Sequence, residues 1–170
     1  SVANIKSQDS SLGTGAFYKC YSLESISIPN SVQSIGQYTF EKCTGLKHIK
    51  FSSRMSTIPS GAFDGCTSIE EIIIPDYISS IGWGAFEDCT KLHTLTIGIN
   101  VTSLSSQCFA GCSSLTQVYM KPITPPSLPN GTSKTGVFPN TSFTIYVPEE
   151  SYDLYTNWCS AWKYEAYNFE

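Results

Sequence analysis

Charge is scarce in this 170-residue chain: Asp, Glu, Lys and Arg make up 14% of it, well under the roughly 25% of an average soluble protein. Ten residues are Lys or Arg and the net charge is -4, so no concentrated cationic face is available for phosphates. That excludes a nucleic-acid partner. Long hydrophobic runs are missing too; the longest aliphatic stretch is Ile72-Ile73-Ile74, far short of the ~20 residues that cross a bilayer, so no membrane insertion is expected of this segment. There are two histidines, His48 and His93, expected at exposed positions without a fixed Ser or Cys beside them, and no C-x-x-C knuckle. Neither a nucleophilic triad nor a zinc site can be built from that set. No catalytic residue, metal or cofactor is expected. Ser1-Val2-Ala3-Asn4-Ile5 has neither a basic region nor an apolar one, which leaves secretion open.

What the chain does have is a period. Cys20, Cys43, Cys66, Cys89 and Cys112 recur at a constant step of 23 residues. Phe17, Phe40, Phe63, Phe86 and Phe109 keep the same step, as do Leu12, Ile35, Ile58, Ile81 and Leu104. So do Leu23, Leu46, Ile69, Leu92 and Leu115, and the pairs that begin at Ile26, Ile49, Ile72, Leu95 and Val118. A fold with ordinary loops would not hold one register so long, because loops accept insertions freely.

Each unit carries an I-x-I pair with the period of two of a strand buried on one face, as in Ser25-Ile26-Ser27-Ile28. Pro29 or Pro75 ends it, having no N-H to donate. One strand per unit at constant phase stacks into a parallel sheet. The rest of the unit is too short for a long helix and must return as turns and short 3₁₀ pieces, with the column Gly13, Gly36, Gly82 at the tight bend.

The recurring A-F-x-x-C, L-x-x-I-x-I-P and I-G resemble the BspA-like leucine-rich repeat. The resemblance spans roughly residues 1 to 120 and implies a leucine-rich-repeat solenoid, a right-handed coil with one parallel β-strand per 23-residue repeat and short turns or 3₁₀ segments on its convex side. It also implies a bacterial protein, secreted or at the cell surface, with a role in adhesion or protein binding. It carries over no catalytic residue.

The whole chain, 1–170, reads as one domain: a degenerate first coil over 1–15, regular repeats over 16–120, a divergent coil with a loop insertion over 121–143, and a last strand with an aromatic cap over 144–170. The first coil is either a cap or a cut through a longer array. Strand motif Thr144-Ile145-Tyr146-Val147 follows its predecessor after 27 residues, an insertion of four in the return limb. Tyr152, Tyr155, Trp158 and Trp162 are expected to cap the last coil, with a ligand cradle as the alternative. The column cysteines are read as small apolar filler, since five thiols in a file cannot all pair; Cys159 is expected to be the exposed thiol. The sequons at Asn100, Asn130 and Asn140 matter only in a glycosylating host.

The outward residues of the I-x-I strands form the candidate binding face. Its C-terminal half is free of charge and offers Thr94, Thr96, Gln117, Tyr119, Thr144 and Tyr146, with His93 beside them. Aromatic anchors among hydroxyls suit a surface protein or a glycan. Two readings stay open: an interaction module that binds through this concave face, and a structural spacer within a larger surface protein. A monomer is expected in either case.

Overall fold

The computed structural model describes residues 2, 3, 5, 9–129, 136–139 and 141–161. They wind as a parallel-strand solenoid of about six turns with little helix. In chain order the strands are β1 (Val2–Ala3), β2 (Ser11–Leu12), β3 (Ser25–Ser27), β4 (Ser34–Ile35), β5 (His48–Lys50) and β6 (Thr57–Ile58). There follow β7 (Glu71–Ile73), β8 (Ser80–Ile81), β9 (Thr94–Ile97), β10 (Ser103–Leu104), β11 (Gln117–Met120) and β12 (Thr144–Tyr146), then a 3₁₀ turn at Glu149–Ser151 and helix α1 (Tyr152–Ala161). Register follows the repeat: Ile26 pairs with Ile49, Ile72 with Leu95, Leu95 with Val118 and Val118 with Ile145. The four-residue insertion before β12 therefore leaves the sheet undisturbed.

The I-x-I strands make the main ladder, as the period-two pattern requires. To it the structure adds a second ladder of two-residue strands, β2, β4, β6, β8 and β10, where the sequence suggests only turns. Both ladders lapse near the same coil. The main ladder divides into β1-β3-β5 and β7-β9-β11-β12, the second into β2-β4 and β6-β8-β10. For the second lapse the cause is plain. Gly36, Gly82 and Ser105 each donate a backbone N-H to the preceding coil, at 2.8, 2.8 and 3.0 Å, whereas Pro59 occupies that column and has no N-H. At the end of β5, Ser52 stands where other coils have Pro29 or Pro75; its buried hydroxyl donates to the Val32 carbonyl at 2.6 Å and ties the strand end to the coil before it.

On the convex side a third set of bonds runs without interruption through both lapses: the N-H of Phe17, Phe40, Phe63 and Phe86 reaches the carbonyls of Thr39, Ala62, Ala85 and Cys108 at 2.7–2.8 Å. Two backbone columns there are left-handed in every regular coil. Gly15, Tyr38, Gly61, Gly84 and Gln107 form one, Lys19, Lys42, Gly65, Asp88 and Gly111 the other, all with φ between 54° and 70°. The glycines expected at the bend serve a different need. A Cβ on Gly82 would meet Ser60 N at 2.6 Å and Pro59 C at 2.8 Å, so glycine at this position allows the close approach of the two coils.

The core is one continuous file per column. Phe17, Phe40, Phe63, Phe86 and Phe109 stack ring on ring at 5.1–5.5 Å within 10° of parallel, and Phe138 extends the stack at 5.8 Å despite lying in the divergent coil. The column cysteines are free thiols, and Cys43, Cys66, Cys89 and Cys112 are fully buried. They are more than filler, because each Sγ donates to the carbonyl of a phenylalanine in the neighbouring coil: Cys43 to Phe17, Cys66 to Phe40, Cys89 to Phe63 and Cys112 to Phe86, at 3.1–3.4 Å. Burial pushes the Cys43 thiol up to about 11, and the Cys66 and Cys89 thiols higher still.

At the C-terminal end Tyr155 is buried and donates its hydroxyl to Pro122 O at 2.9 Å, while Trp158 Nε1 donates to Pro126 O at 2.8 Å. These two rings clamp the divergent segment against the last coil. Tyr152 lies outside the cap, 48% exposed, because the helix turns it to solvent; Trp162 lies outside the described residues, as do Asn130 and Asn140. Cys159 is fully buried, contrary to expectation, since it follows Tyr155 by one helical turn on the inner face; Cys20 is the half-buried thiol.

Candidate functional site

Successive side chains of a strand alternate in direction, so the outward residues of β7, β9, β11 and β12 form two rows across the sheet. Register places Glu71, Thr94, Gln117 and Thr144 in one, and Ile73, Thr96, Tyr119 and Tyr146 in the other. Each of the six candidate strand residues is partly exposed. In the first row Thr94 Oγ1 donates to Gln117 Oε1 at 3.4 Å, and His93 Nδ1 lies 2.9 Å from Thr94 Oγ1, so those three side chains satisfy one another. His48 is exposed as expected.

The second row differs. Tyr119 and Tyr146 stack at 4.4 Å with 10° between their planes, an arrangement that fixes both rings without a bound molecule. Beside them a groove of about 650 Å³ opens at the strand ends. Thr96, Tyr119 and Tyr146 line it together with Ile99, Met120, Lys121, Val147 and Pro148. Of the seven candidates it brings three together; Thr94, Gln117, Thr144 and His93 do not line it.

Ile99 was the residue the sequence offered and the strand pattern overlooked. Its column is polar in the three preceding coils, Asn30, Ser53 and Asp76, and it is 48% exposed. A lone aliphatic in a polar column was the available signal. Ile99 is held by its backbone, whose N-H donates to Asp76 Oδ1 at 3.1 Å, and the same oxygen lies 3.5 Å from Lys121 Nζ. Nearby, Asn100 is exposed and donates Nδ2 to Asp76 O at 2.6 Å.

On the opposite, convex side Glu41, Asp64 and Glu87 fall in one column. Burial, then Glu87, Glu41 and Asp88, push the Asp64 carboxyl up to about 6 against the pull of Lys42. Among the described residues no group of three or more His, Cys, Asp or Glu is placed to hold a metal ion. No helix there is long and apolar enough to cross a membrane.

Residues 10–125 match the BspA type leucine rich repeat region in six copies. The chain belongs to that family. Among solved structures, this BspA-type chain resembles a leucine-rich cell surface protein of Faecalibacterium prausnitzii, with 30% identity and a TM-score of 0.68 over 81% of this chain. The pneumococcal vaccine antigen PcpA is similar at 25% identity and TM-score 0.68 over 88% of the chain. A leucine-rich repeat protein of T. pallidum matches in fold at 24% identity and TM-score 0.68, over 92% of this chain and 78% of its own. The chain spans 34% of the F. prausnitzii protein and 39% of the pneumococcal antigen. A comparison with curated proteins returns no match.

Proposed function

We propose that the chain is a non-catalytic interaction module of a secreted or cell-surface protein, a monomer that holds a segment of a partner protein against the C-terminal half of its concave sheet. The observation that carries this reading is the Tyr119–Tyr146 stack over an apolar groove, on a half of the sheet where Thr94, Thr96, Gln117 and Thr144 bring no charge. Rigid aromatic anchors beside a preformed apolar recess are what binding hot spots are made of. The recess is poor in hydrogen-bonding groups, which favours a protein side chain over a glycan. The cell-surface placement is supported by the description of the F. prausnitzii relative as a cell surface protein.

The test is binding of labelled chain to immobilised surface proteins and to glycan arrays. A Tyr119→Ala/Tyr146→Ala double variant with an unchanged circular dichroism spectrum is expected to lose about tenfold or more in affinity. Unchanged affinity would remove the concave-face assignment. The unbroken ring stack from Phe17 to Phe138 supports a second reading, a rigid spacer, which predicts no saturable binding through this face at all.

A further inference from the structure

We infer that the groove takes an extended acidic peptide, with an apolar side chain seated against the Tyr119–Tyr146 stack and a neighbouring carboxylate at Lys121. This rests on the reading above and adds the partner's chemistry. Of the residues that line the groove, Lys121 alone is charged, and no carboxylate faces it from the lining. An acidic ligand brings that ammonium a second carboxylate besides Asp76, whereas a basic one would be repelled.

Lys121 is already poised. Its Nζ lies 3.5 Å from Asp76 Oδ1, with side chains 48% and 56% exposed, and Asp76 Oδ1 also accepts the Ile99 N-H at 3.1 Å. An exposed pair of this kind is weak, so a ligand carboxylate displaces Asp76 at little cost while Asp76 keeps its backbone bond. Seating an apolar side chain also removes water from around Lys121, which strengthens the new pair relative to the old one. At the other rim Pro148 is followed by the exposed Glu149 and Glu150. These repel the acidic end and set the peptide's direction, carboxylate toward Lys121.

The test uses the ¹⁵N-labelled chain and three blocked tetrapeptides, Gly-Leu-X-Gly, with X as Glu, Gln or Lys. Amide shifts of Thr96, Tyr119, Lys121 and Tyr146 are followed. The Glu peptide is expected to saturate them at about a two- to fivefold lower concentration than the Gln peptide, the range an exposed ion pair supplies, with the Lys peptide weakest. High salt should erase the difference. Lys121→Glu should invert the order, and Asp76→Asn, which keeps Oδ1 for Ile99, should raise the affinity of the Glu peptide by freeing Lys121. Equal saturation by all three peptides overturns the inference while leaving the concave groove as the binding site. No shift at Tyr119 or Tyr146 with any of them overturns both.

Discussion

At the scale of single residues, Asp64 shows how stacking identical positions creates costs a lone coil would not have. Its carboxyl titrates near 6 in the folded chain because burial and three carboxylates disfavour its charge. The unfolded value is about 3.9, so the native state holds a proton that the unfolded state releases between those two pH values. Stability therefore falls as pH rises from about 4 through about 6, then levels off. Asp64→Asn should raise the melting temperature at pH 7.5 and leave it nearly unchanged at pH 4, a gain on the order of 1 kcal/mol after solvent screening. An equal gain at both pH values would show that charge is not the cause. Gly82 makes the complementary case. Its missing Cβ admits Ser60 N and Pro59 C, both backbone atoms that cannot swing aside, so Gly82→Ala should cost about 1–3 kcal/mol in urea denaturation.

Elements in a solenoid are joined by ladders, and their continuity decides where the stack is stiff. Between β5 and β7 the main ladder is open, and the N-H of Phe51 finds no acceptor among the described residues. Its counterparts Ile28 and Ile74 donate to Lys50 O at 2.9 Å and Thr96 O at 2.8 Å. Hydrogen exchange followed by NMR should find the Phe51 amide about tenfold or more faster than either. Equal rates would mean that the lapse closes in solution. The lapse could not be read from the repeat, since Ile49, Phe51 and Ile72 keep their columns. Pro59 could have been: a proline in a column whose other members donate an N-H announces a missing bond. The left-handed columns were hidden because Tyr38, Lys42, Asp88 and Gln107 fill places where glycine would have marked them.

For the whole molecule, stability is shared between neighbours. Phe63 is fully buried between Phe40 and Phe86, whereas Phe17 is half-buried at the end of the stack with Phe40 on one side. Phe63→Ala should cost about 3–5 kcal/mol, and Phe17→Ala clearly less, as measured by urea unfolding. Equal costs would contradict the nearest-neighbour picture of the solenoid.

The order of coils, the strand phase and the identity of the core columns were determined by the sequence alone, because a constant 23-residue step forces like side chains onto like. Tertiary structure decided what happens at the ends and edges of that pattern. It recruited Phe138 into the ring stack, buried Cys159, left Tyr152 outside the cap, and brought Ile99 and Lys121 to Tyr119 and Tyr146. Those positions break the period. Where a residue has no counterpart one coil away, only the packing of the folded chain says which neighbours it meets.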